Sequence, residues 1–120
     1  MTPAAVRASY RRALDLYGEP IYIRRFSGPA GPSRTVVNYG PIQARVTGFA
    51  PEEFIGSIVP GDRKIIAMAE DVDASGITLP LAPGSDKVVW RDRELILKAS
   101  DASTRRMSGE LIAYELTAGG

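Results

Sequence analysis

Val88-Val89-Trp90-Arg91-Asp92-Arg93-Glu94-Leu95-Ile96-Leu97-Lys98-Ala99 is the stretch that decides the fold. Val88 to Trp90 and Glu94 to Ala99 read as two strands joined by a tight turn at Arg91-Asp92, a β-hairpin although the turn lacks the glycine that is easiest there. Upstream, Lys64 to Ala69 is apolar on both faces, which predicts a central strand or one covered by another element. Further upstream, Ile42, Ala44 and Val46 alternate with Gln43, Arg45 and Thr47, the period-2 pattern of a strand with one buried face. Ile21 to Phe26 and Glu110 to Thr117 read as the first and last strands, the latter with Ile112, Tyr114 and Leu116 on one face.

The segments between these strands are equally informative. Thr2 as N-cap and Pro3 at the first helical position open an amphipathic helix that ends at Gly18, with Val6, Tyr10, Ala13, Leu14 and Tyr17 on one face. Its other face carries Arg7, Arg11 and Arg12 and is expected to meet water or an acidic partner. Ser27-Gly28-Pro29-Ala30-Gly31-Pro32-Ser33 sustains no regular structure and reads as a flexible loop. Gly40-Pro41 is expected to bend the strand that follows. Ala50 to Ile55 reads as one helical turn, and Pro60-Gly61 as a turn. From about 71 to 86 the pattern dissolves into a long loop with isolated Ile77, Leu79 and Leu81. One helix and about five strands without βαβ alternation predict a mainly β fold with one N-terminal α-helix, a small antiparallel barrel or sandwich. The division is a single domain, 1–120, with helix 3–17 and a barrel-like core over about 20–117.

Composition narrows the function. A chain of 120 residues supports one core. The absence of cysteine excludes disulfides and thiolate chemistry, and the absence of histidine excludes a Ser-His-Asp triad and imidazole-bound metals. No glycine group follows a phosphate-binding spacing. Glu52-Glu53 and Glu70-Asp71 are adjacent pairs whose side chains diverge, a poor basis for acid–base catalysis. No enzyme activity, cofactor or membrane span is therefore expected. Net charge is +1, which argues against a dedicated nucleic-acid binder. The charge is uneven: residues 1–48 carry seven arginines against Asp15 and Glu19, and residues 51–73 carry six acids against Arg63 and Lys64. These are either ordinary solvated charges or opposite patches that meet between copies.

Asp71-Val72-Asp73-Ala74-Ser75-Gly76 opens like a calcium loop, with oxygen ligands at Asp71, Asp73 and Ser75. Position 12 is Ala82, so the closing carboxylate is missing and a solvated acidic turn is the expectation, with no metal. Phe49 and Phe54 lie in the acidic segment. Trp90 is expected to pack against neighbouring strands, with an intersubunit anchor as the alternative.

Pro60-Gly61-Asp62-Arg63-Lys64-Ile65-Ile66-Ala67-Met68-Ala69-Glu70-Asp71, Ser85-Asp86-Lys87-Val88-Val89-Trp90, Ser103-Thr104-Arg105-Arg106 and Leu111-Ile112-Ala113-Tyr114-Glu115-Leu116 together resemble phage head-tail connector proteins of the head-closure or stopper kind. The likeness covers about half of the chain. It implies a barrel-like structural virion subunit in a six-fold ring of the neck, between portal and adaptor proteins and the tail. Assembly would start in the host cytoplasm, and genomic DNA would pass through the ring. It also makes the 71–85 loop the candidate plug or docking segment. The partner-binding candidates are then Glu70, Asp71, Asp73, Ile77, Leu79, Leu81 and Trp90, with Arg24 and Arg25. Alternatives are a tail terminator or adaptor of the same neck, or a small-barrel module binding a peptide or nucleic acid through the Trp90 hairpin.

Overall fold

The computed structural model describes residues 2–120 apart from Ser33, Phe54, Ile55 and Ser57. Helix α1 spans Pro3–Tyr17 as its capping residues predict: Thr2 Oγ1 accepts a hydrogen bond from the Ala5 amide at 3.1 Å, and the Gly18 amide returns to the Leu14 carbonyl at 2.8 Å. Strands β1 (Glu19–Ser27) and β2 (Thr35–Gly48) form a long hairpin. A 3-10 turn at Pro51–Glu53, where a helical turn is expected, leads to β3 (Arg63–Met68); Phe54 and Ile55 lie outside the described residues. Helix α2 (Ala69–Ala74) follows, then β4 (Lys87–Trp90), β5 (Arg93–Asp101), β6 (Arg106–Met107), β7 (Glu110–Leu111) and β8 (Ala113–Gly119).

Six strands close into an antiparallel barrel in the order β1-β2-β3-β8-β5-β4, and β6 and β7 make a separate two-stranded ribbon. Closure pairs every barrel strand on both sides over the barrel body. The alternation read from Ile42 to Thr47 holds: Ile42 and Ala44 are buried and face the interior with Ile21, Ile23, Ile65, Ala67, Val88, Leu95, Leu97, Leu116 and Ala118. The β4–β5 turn has φ of 50° at Arg91 and 60° at Asp92, the two left-handed positions of a type I′ turn, adopted here without glycine. At the predicted bend, Gly40 has φ of 142°, and a Cβ there would sit 2.9 Å from the Ile21 carbonyl oxygen. The β1–β2 register slips beside it, between Ile21 and Ile23. No helix among the described residues is long and apolar enough to cross a membrane.

Three expectations are corrected. The long loop over 71–86 is shorter, because residues 69–74 are helical; Glu70 and Asp71 in the first turn favour the helix. The final strand is broken at Ile112, whose backbone turns aside to exchange hydrogen bonds with Arg105 and Ala69. The stretch before it is the β6–β7 ribbon, turned by Ser108 and Gly109, both at positive φ. The apolar face assigned to α1 is covered only in part: Leu14 is buried and Val6 and Tyr10 are half-buried, but Ala13 is exposed and Tyr17 stays 65% exposed with the Arg45 guanidinium over its ring.

Candidate functional site

The segment after β3 is fastened at several points. Arg11 of α1 reaches the first turn of α2 and donates to both carboxylate oxygens of Asp71 at 2.8 Å and to Glu70 at 2.7 Å. These bonds hold the Arg11 guanidinium more firmly protonated than usual. Arg7 pairs with Glu110 at 2.6 Å. Arg7 and Arg11 of the basic helix face therefore meet acidic partners inside one chain, while Arg12 stays exposed. Asp73 stays exposed; after burial, its charge is the next cause raising the Tyr114 phenol above its ordinary range. The Ser75 hydroxyl donates to the Val72 carbonyl. Asp71, Asp73 and Ser75 therefore form a helix end with an arginine on it, not an open calcium loop. Among the described residues no group of three or more carboxylates is placed to hold a metal ion.

Residues 75–86 are irregular in backbone but anchored. Ile77 and Leu81 are buried in the core, and only Leu79 of the three apolar candidates is exposed. Arg25 of β1 ties the loop down, donating to the carbonyls of Thr78 at 2.6 Å and Pro80 at 3.3 Å and to both oxygens of Asp86 at 2.9 and 2.7 Å. Asp86, 1% exposed, also accepts from the Ala82 amide at 2.8 Å. Burial alone pushes this carboxyl up, but the Arg25 and Ala82 bonds outweigh it and hold the carboxyl below the usual aspartate range. Arg25 is thus a clamp inside the molecule, and Arg24 pairs with Asn38 and Glu94. A loop so restrained is a poor plug.

Trp90 is 7% exposed, and its indole N–H donates to Glu19 at 3.2 Å. The guanidinium carbons of Arg91 and Arg63 lie 4.7 and 5.5 Å from its ring centroid. Glu19 also takes the Arg91 Nε at 2.6 Å, and that bond leads the causes that lower its carboxyl below the ordinary glutamate range. Packing, not an exposed anchor, is the role of this tryptophan. Trp90 itself therefore offers little surface to a ligand, and the apolar surface of this hairpin is at Ile96, 43% exposed.

The free surface lies elsewhere. β4 pairs with β1 only over Ile21–Arg24, and β3 pairs with β2 only from Ala44 onward, so Arg25–Ser27 and Thr35–Val37 run on together beyond the barrel as a two-stranded arm, while Asn38 and Tyr39 lie opposite Arg24 and Ile23 at its base and Tyr39 packs against the core. At ~3.3 Å per residue the 14 residues of β2 span up to about 46 Å, close to the 50 Å long dimension of the molecule. Val36 and Val37 are 49% and 39% exposed, and the Arg34 guanidinium carbon lies 4.1 Å from the Phe26 ring centroid. Of the flexible loop expected over 27–33, Ser27 belongs to β1, residues 28–32 lie at the tip of this arm, and Ser33 lies outside the described residues. The sequence signal overlooked is Thr35-Val36-Val37-Asn38-Tyr39, a β-prone run without charge.

Besides a small cleft of about 170 Å³ against the Trp90 hairpin, lined by Pro20, Tyr22, Val89, Arg91 and Asp92, two larger clefts flank the barrel among the described residues. One, of about 290 Å³, lies where Arg11, Asp71, Pro41 and Gln43 meet, and its charged lining groups Arg11 and Asp71 are paired with each other. The other, of about 310 Å³, is lined by Val59, Ile96, Gly119 and Gly120 with Asp62 and Lys98, themselves a salt bridge of 2.6 Å. Neither gathers the nucleophile, base and oriented partner that group-transfer catalysis needs. No protein-family model and no curated protein matches the chain.

Proposed function

We propose that the chain is a structural subunit of a tailed-phage neck, acting by assembly instead of catalysis, in the head-closure ring between the adaptor and the tail. The sequence likeness over residues 60–71, 85–90, 103–106 and 111–116 motivates it, and a closed β-barrel is the fold that likeness implies. The single structural observation that carries it is the arm. A closed barrel that satisfies its own strands yet extends a hairpin with exposed apolar side chains is built to touch a neighbour. In this reading the arm replaces the 71–85 loop as the docking or channel-closing segment, since the loop is held by Arg25 and Asp86. The subunits form a homo-oligomeric ring, a hexamer by the resemblance, contacting portal or adaptor proteins, tail proteins and, in passing, DNA.

Immunogold electron microscopy of particles released by the source organism tests the proposal, with antibody raised against the folded chain. Gold at the head-tail junction is the expected result. Intact tailed particles that stay unlabelled by an antibody proven against the native protein would overturn it.

A further inference from the structure

Barrel closure leaves the chain one long open strand edge among the described residues. Thr35–Tyr39 pairs with β1 on one side and with no strand on the other, whereas the helices and the Gly40-Pro41 bend flank the β2 residues that follow. Open edges in soluble proteins are ordinarily guarded by lysine, proline, a bulge or an inward-pointing charge. Thr35-Val36-Val37-Asn38-Tyr39 has none of these and contains three residues with strong β preference and a threonine. Unpaired backbone amides and carbonyls on such an edge specify the chemistry of their occupant: another extended strand.

We infer that this edge pairs with the same edge of a second copy, antiparallel about Val37, so that two arms form one four-stranded sheet. The inference does not rest on the neck assignment: a two-fold contact joins free chains or two rings face to face and is separate from the contacts between neighbours within one cyclic ring. Charge placement favours a second copy in this orientation. The edge itself is neutral, so self-pairing opposes no like charges. Antiparallel pairing centred on Val37 sets Thr35 opposite the partner copy's Tyr39 and Val36 opposite its Asn38. Arg34 of each arm then falls across from Gly40 of the other, six positions, or about 20 Å, from the second Arg34. Parallel pairing would instead stack Arg34 on Arg34. The contact is small compared with the ~1,200 Å² or more of stable complexes, so the dimer is weak and reversible.

Because the chain has no cysteine, single thiols report the contact without background. Val37→Cys is expected to couple into a disulfide-linked dimer on mild oxidation at least tenfold faster than Leu16→Cys on α1, although Leu16 at 74% is more open to solvent than Val37 at 39%. Thr35→Cys lies four positions from its counterpart in the antiparallel register and is expected to couple as slowly as the control. Coupling of Val37→Cys at the control rate overturns the inference, and so does coupling of Thr35→Cys as fast as Val37→Cys. By analytical ultracentrifugation, Val36→Lys/Val37→Lys is expected to raise the dimer Kd at least tenfold while Trp90 fluorescence and Tm stay those of the parent. A parent chain that sediments as a monomer up to millimolar concentration also overturns it.

Discussion

Asp86 and Arg25, 61 positions apart, meet in a nearly dry corner under the 75–86 loop. Removing one partner of a buried pair strands the other, a loss of about 3 to 5 kcal/mol where both are buried. Arg25 keeps a quarter of its side chain in water, so Asp86→Asn is expected to cost about 3 kcal/mol, at the lower end of that range, read by urea denaturation. The pH dependence has a definite sign. Asp86 and Asp62 both face strong burial, which raises a carboxyl; hydrogen bonds from Arg25 and Ala82, and from Lys98 and Val59, outweigh it and lower both. Their contribution is fully present above the ordinary aspartate range and is lost as pH falls through the depressed folded values. Asp86→Asn is therefore expected to flatten the fall in stability below about pH 4. Gly119 is a second sensitive residue: a Cβ there would run into Oδ1 of Asp62, in the chain's buried aspartate–lysine pair. Gly119→Ala is expected to cost about 1 to 3 kcal/mol as overpacking, a shift of several degrees in Tm by differential scanning calorimetry.

The elements divide by whether their causes are local or distant. Thr2, Pro3 and Gly18 announce α1 because capping is satisfied within a few residues of each end. The hairpin from Val88 to Ala99 and the strand from Ile42 to Thr47 are legible from alternation, since each has one face in the core. Helix α2 is not, because six residues are too few to display a helical period, and its packing depends on Arg11 some sixty positions away. The anchoring of Ile77 and Leu81 is equally invisible, as it rests on Arg25. The candidate site suffers most from this: Trp90, Arg24, Arg25 and Asp71 are spent within the fold, and the exposed arm arises where two long strands outrun their neighbours. The tip of the arm is remote from the core, so replacing residues 28–34, the connection between the paired Ser27 and Thr35, by a two-residue Asn-Gly turn is expected to change unfolding free energy by less than about 1 kcal/mol. If the proposed neck role holds, the same shortening is expected to abolish incorporation into particles, scored by blotting purified virions.

At the scale of the whole molecule, the barrel joins its halves through β8, which lies between β3 and β5 and pairs with both. Leu116 and Ala118 of β8 are fully buried, and Tyr114 nearly so, so the last strand closes the core as well as the sheet. Loss of residues 113–119 would open two long strand edges at once, and such a truncated chain is expected to be recovered in the insoluble fraction while the full chain stays soluble. The order of strands also sets a schedule during synthesis. While the chain emerges from the ribosome, β1 to β5 can form only an open, curved sheet whose outer members await a strand not yet translated. The barrel closes only when residues 113–119 become available to pair, so until then β3 and β5 keep edges that other chains can join.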